Sequence, residues 1–104
     1  MSTKDSVALK FSAEIRQNLG PHLKGLTLFG SRARGDAREE PDYDFLILVG
    51  ERNKKIVRLI RQAEVELLGS ERALSDRLIY SEAEWSNRKV LSMGINIQRE
   101  GIAV

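Results

Sequence analysis

Residues 26–49 read LTLFGSRARGDAREEPDYDFLILV, and their order decides the fold. Residues 26–29 are a short apolar run that ends at Gly30, residues 31–41 are polar, and residues 42–49 return to an aromatic and β-branched run. That pattern predicts two strands bridging a polar loop. Phe45, Leu46, Ile47, Leu48 and Val49 leave no polar face, which predicts a central strand covered on both sides, with Asp42 and Asp44 at its mouth. Alternate residues of a strand share a face and stand about 6.6 Å apart, so the two aspartates are expected on one side and Tyr43 on the other.

Upstream, Ala8, Phe11, Ile15 and Leu19 recur at helical spacing, and Gly20-Pro21 closes that run. Downstream, Asn53 caps a second expected helix in which Ile56, Ile60, Ala63 and Leu67 share a face and Gly69 lies past the end. Lys54 and Lys55 oppose the helix dipole at its start, an arrangement that fits either a solvated first turn or anionic company. Residues 75–81, SDRLIYS, read as a third strand, and Ser81 with Glu84 forms the pattern of a capping box. After Leu91 the apolar spacing fits strand or helix; with Met93 and Ile97 on one helical face, a short helix is expected before a terminal strand at residues 101–104. The main order is α-β-β-α-β-α, an α+β (mixed α/β) fold with a small mixed sheet packed on helices, in one domain over residues 1–104.

Composition narrows the function. The 104 residues are 41% hydrophobic and 31% charged, ordinary usage for a folded soluble domain. Lys+Arg 17 against Asp+Glu 15 leaves a formal charge of +2. Residues 1–52 carry 8 basic and 8 acidic side chains and residues 53–104 carry 9 and 7, so no basic tail or block is available to grip phosphates and direct nucleic-acid binding is not expected. Zero cysteines exclude disulfides, thiolate zinc sites and cysteine nucleophiles. The single histidine, His22, follows Pro21 at a helix end and reads as a surface residue. With no membrane-length apolar run and no signal-peptide pattern at the N-terminus, a cytoplasmic location and no membrane partner are expected.

Two carboxylates held on one face repel, and a bound divalent cation relieves that repulsion. Their hard oxygen donors select magnesium or manganese. A solvated Asp-rich turn after Pro41 is the competing reading. Gly30-Ser31 weighs against it, because a strand that ends in Gly-Ser before a turn presents backbone N–H groups and a hydroxyl to an incoming phosphate. Gly30 and Gly35 have the Walker A separation, but Asp36-Ala37 follows where Lys and Ser/Thr are required, so a P-loop is excluded; no G-x-G-x-x-G occurs either.

Gly30-Ser31, ten residues, then Asp42-Tyr43-Asp44, with the turn written GSRARG, closely resembles the nucleotidyltransferase signature of the polymerase β superfamily. More narrowly it is similar to the minimal nucleotidyltransferase (MNT) member of HEPN/MNT toxin–antitoxin pairs. The resemblance continues through DRLIYSEAEW and QREGIAV and covers nearly the whole chain. It implies that Gly30 and Ser31 hold the β- and γ-phosphates of a nucleoside triphosphate, and that Asp42 and Asp44 ligate two magnesium ions. Asp76, opening the third strand, is implied as the third carboxylate; an ion pair with neighbouring Arg77 is its alternative. Arg32 and Arg34 are candidates to offset charge on departing pyrophosphate, or are solvated. Pro41 stands where many members have serine. Tyr80 and Trp85 stack on a nucleobase or belong to the core.

The resemblance implies transfer of a nucleoside monophosphate, AMP by preference, from ATP or another NTP to a hydroxyl, releasing pyrophosphate. The short chain then predicts that a partner brings the acceptor, by the resemblance a HEPN ribonuclease whose tyrosine is AMPylated; both a homo-oligomer and a hetero-oligomer are open. The alternative is a binding antitoxin that neutralises the toxin by covering it.

Overall fold

The computed structural model describes residues 5–30, 33, 42–71 and 74–104; for Asp42, residues 68–71 and residues 74–76 it describes the backbone alone. The elements in chain order are α1 (Ser6–Leu19), a 3-10 turn (Gly20–His22), β1 (Leu23–Phe29), β2 (Asp42–Val49), α2 (Lys54–Glu71), β3 (Leu74–Ser81), α3 (Glu82–Arg88), α4 (Ser92–Glu100) and β4 (Ile102–Ala103). The strands form one mixed sheet in the order β3-β2-β1-β4. β2 is antiparallel to β1 and parallel to β3, and β1 is antiparallel to β4. The mixed α+β fold and the central position of β2 agree with the reading of residues 42–49.

Alternation along β2 builds the core. Tyr43, Phe45, Ile47 and Val49 face α1 and α2, where they join Ala8, Phe11, Ile15 and Leu19 with Ile56, Ile60, Ala63 and Leu67 in one buried cluster. Phe45 stacks on Phe11 with ring centroids 4.4 Å apart. Leu46, on the other face, is also buried, as a two-sided strand requires.

The predicted stops and caps hold in most places. Gly20 N–H donates to Arg16 O at the end of α1. Asn53 Oδ1 accepts from Ile56 N at 2.9 Å, and Ser81 and Glu84 exchange both bonds of a capping box. Three expectations change. β1 begins at Leu23, three residues before Leu26. α2 runs through Gly69 to Glu71; a glycine costs a helix about 1 kcal/mol relative to alanine, and alone does not end it. The order continues past the third helix with α4 and β4, which realise the short helix and terminal strand expected after Leu91. The buried face of α4 carries Gly94 and Ile97, whereas Met93 is 59% exposed. Gly94 lies so close to the α3 end that a Cβ there would stand 2.3 Å from Arg88 O.

α2 carries no acidic residue in its first turn and no basic residue in its last. Lys54 and Lys55, both exposed at the start, oppose the macrodipole at roughly 0.3–1 kcal/mol each. No described helix is long and apolar enough to cross a membrane.

Candidate active site

Gly30 follows β1 directly, and it faces the mouth of β2 because the antiparallel register sets Phe29 opposite Asp44. Its φ is 75°, a left-handed conformation natural to glycine. A Cβ built on Gly30 would stand 2.3 Å from Asp44 Oδ2 and 3.1 Å from Asp44 Cγ. The half-buried Asp44 carboxylate therefore rests in the space that the missing side chain leaves. Ala33 N donates to Gly30 O at 3.1 Å, which turns the chain immediately after the strand.

The parallel pairing of β2 with β3 sets Asp76 directly beside Asp44, and Asp42 beside Leu74. Neighbouring strands lie about 4.8 Å apart, so the backbone brings positions 42, 44 and 76 together at one end of two adjacent strands. The third acid, expected from strand position alone, thus falls in register with the second. Arg77, its alternative partner, is engaged elsewhere: Arg77 Nε lies 2.6 Å from Glu64 Oε1 on α2. Burial pushes the Glu64 carboxyl above its ordinary range, and the charges of Arg77 and Arg61 offset part of that rise. Ser31, Arg32 and Arg34, together with Gly35 and Pro41, lie outside the described residues.

Two contacts near this mouth, the Asp5 cap and its bond from Tyr43, go beyond the pattern of the sequence. Asp5 caps α1, its Oδ1 accepting from Val7 N at 2.9 Å and Ala8 N at 3.1 Å. Tyr43, between the two β2 aspartates, sends its hydroxyl to the same carboxylate at 2.9 and 3.0 Å. The start of α1 is thereby tied to the mouth of β2. An aspartate just before an apolar helical run was the available signal for the cap; the tyrosine bond, 38 residues away in sequence, had none.

Tyr80 and Trp85 are half-buried and fall outside the core cluster. They stack at 6.2 Å, with Arg88 5.6 Å above the Tyr80 ring, and line a groove of about 230 Å³ with Leu78, Leu91, Met93 and Ile97. Neither belongs to the buried core: Trp85 sits on the seven-residue α3, which buries none of its residues, and Tyr80 lies near the end of β3 beside it.

The arrangement suits a polyanion that meets carboxylates across a hard cation. The acidic positions that the backbone brings to the mouth of β2 are all aspartates, whose oxygen donors are the type that magnesium and manganese prefer. Among residues whose side chains are described, no cluster of three or more His, Cys, Asp or Glu that could hold a metal occurs; Asp42 and Asp76 stand outside that set.

Similar folds occur in solved structures. A chain of a toxin–antitoxin complex with AMP-PNP superposes with a TM-score of 0.60 at 17% identity, covering 89% of this chain and 68% of that one. A chain of the tri-AMPylated Shewanella oneidensis HEPN toxin in complex with its MNT antitoxin gives 0.57 at 17% identity, covering 93% and 67%. A candidate nucleotidyltransferase of Sulfolobus solfataricus gives 0.54 at 22% identity, covering 96% and 87%. No curated protein sequence matches this chain. At these identities the likeness concerns the fold, and the sequence adds the family: the nucleotidyltransferase domain pattern matches residues 9–97, and the chain belongs to that family.

Proposed function

We propose that this nucleotidyltransferase moves AMP from ATP to a hydroxyl of a HEPN-domain partner protein. The observation that carries the reading is the seating of the Asp44 carboxylate against Gly30, with Asp76 in register on the next strand. The solved toxin–antitoxin complex with AMP-PNP and the tri-AMPylated HEPN toxin bound to its MNT antitoxin support the choice of nucleotide and partner.

The acceptor oxygen attacks the α-phosphorus in line; its O–P bond forms as the bond to the β-phosphate oxygen breaks, and pyrophosphate leaves. Gly30, bare of a side chain, lets the triphosphate approach the backbone, and Ser31 supplies a hydroxyl to it. Asp42, Asp44 and Asp76 would hold divalent cations, two magnesium ions in our reading, which when bound supply charge neutralisation of the triphosphate and a more acidic acceptor hydroxyl. In this reading Asp76 would serve the acceptor side, where the hydroxyl proton departs. Arg32 and Arg34 are assigned to the departing pyrophosphate.

Asp44→Asn keeps the shape and removes the charge. With ATP, magnesium and the co-purified HEPN partner, it should lower AMP incorporation, read by intact-mass spectrometry, by at least about 100-fold. The melting temperature should stay near that of the parent. Undiminished transfer would overturn the assignment. If the variant still neutralises the toxin in cells without transfer, the chain acts by covering its partner.

A further inference from the structure

The charge of α2 is polarised along its length. Lys54, Lys55, Arg58 and Arg61 crowd its first half, with Arg52 just before it, whereas Glu64, Glu66 and Glu71 occupy its second. Lys54, Arg58 and Arg61 recur at i, i+4 and i+7, on the face opposite buried Ile56, Ile60 and Ala63, and all three are exposed. They line a surface concavity of about 480 Å³ with Arg52, Asn53 and Val57, and no carboxylate lines it. Arg52 is drawn partly aside by its bond to Glu84, 2.7 Å from Nη2 to Oε2. Of the other cations, Arg61 acts on Glu64 through space, and Arg58 and Arg61 also border a neighbouring concavity that Glu14 and Glu66 line. The helix N-terminus beneath the stripe adds positive potential in place of the acidic side chains that normally balance it.

The chemistry selects among anionic partners. Lysine is depleted at the centres of protein–protein interfaces, and this concavity contains one aliphatic side chain, Val57, and no aromatic one. Cations spaced along about 10 Å of helix, without stacking groups, suit a string of phosphates whose sequence goes unread. The stripe also lies at the far end of the sheet from Asp44: α2 starts after β2 has ended, and its 18 residues run about 27 Å back toward the start of β3. A phosphate chain held at the stripe is therefore outside the nucleotide site.

We propose that the Arg52–Arg61 face of α2 is a sequence-independent contact for a nucleic-acid backbone, separate from the carboxylate mouth. It acts as a holding surface, and it does not depend on the transfer reaction. The balanced count by halves hides it, because the cut divides the cluster: Arg52 falls in the first half and Lys54, Lys55, Arg58 and Arg61 in the second.

Fluorescence anisotropy with a labelled DNA duplex of about 20 base pairs tests the proposal, titrated between about 50 and 200 mM salt. Three engaged phosphates predict a log–log salt slope near −3, equivalent to roughly 60-fold weaker binding across that range. Lys54→Gln/Arg58→Gln/Arg61→Gln should bind at least about tenfold more weakly at low salt with a slope near zero. Arg88→Gln/Lys89→Gln/Arg99→Gln, which removes the same charge from α3 and α4, should keep the parental slope. The proposal is overturned if the parent gives no anisotropy change at low salt, or if both triple variants lose binding equally. Equal competition by tripolyphosphate at matched phosphate, or retention on phosphatidylserine vesicles without duplex binding, also overturns it. AMP transfer by Lys54→Gln/Arg58→Gln/Arg61→Gln, measured in parallel, reports on the catalytic reading alone.

Discussion

At position 30 a side chain is excluded twice, by a φ of 75° and by Asp44 Oδ2, which would stand 2.3 Å from a Cβ. Left-handed backbone costs a non-glycine residue roughly 1–2 kcal/mol, and the carboxylate must also move. Gly30→Ala should therefore lower stability by about 2 kcal/mol and reduce AMP transfer more than it reduces the folded fraction. Chemical denaturation with activity measured on the folded protein checks both; full activity would remove Gly30 from the site. Tyr43 acts one step further out, its hydroxyl bonded to the carboxylate that caps α1.

At the scale of elements, α3 depends on its first turn. Ser81 Oγ accepts from Glu84 N at 3.1 Å, and Glu84 Oε1 accepts from Ser81 N at 3.0 Å while the carboxylate also receives Arg52. The Ser81 backbone N–H foremost, then the Arg52 bond and charge, hold the Glu84 carboxyl below the ordinary carboxylate range. A lowered folded-state pKa means that the unfolded chain binds more protons near its own pKa. The stabilisation is complete above the unfolded value and is lost as pH falls through the folded one. Glu84→Gln should flatten the acid limb of a melting-temperature profile below about pH 4.5. An unchanged limb would show that the box does not survive in solution. The sequence announced this box because its four residues are contiguous. It announced α4 less well: Gly94 faces α3 because a helix–helix approach requires the missing side chain, and hydrophobicity along the chain carries no trace of that.

At the scale of the whole molecule, β2 serves the core with one set of residues and the candidate site with its mouth. Phe45 is fully buried and stacks on Phe11. Phe45→Ala should cost about 3–5 kcal/mol, a large part of the 5–15 kcal/mol that holds a domain of this size. A urea midpoint that barely moves would show that the core closes over the cavity. Asp44→Asn, one residue away, should leave that midpoint in place. The adjacent positions separate because alternation sends one into the helix layer and leaves the other beside Gly30.

The sequence by itself determined what local rules govern: α1 from its spacing, the stop at Gly20-Pro21, the cap at Asn53, the capping box, the central strand from its two apolar faces, and the Gly30, Asp42 and Asp44 motif. Each rests on neighbours within one turn or one strand. The tertiary structure alone decided what depends on pairing between distant segments. β3 chose its register so that Asp76 lies beside Asp44, Arg77 went to Glu64, Asp5 reached Tyr43, and Tyr80 and Trp85 were left lining a groove. Strand register is fixed by which faces the helices bury, and helical winding puts Lys54, Arg58 and Arg61 on one exposed face that a linear count does not show.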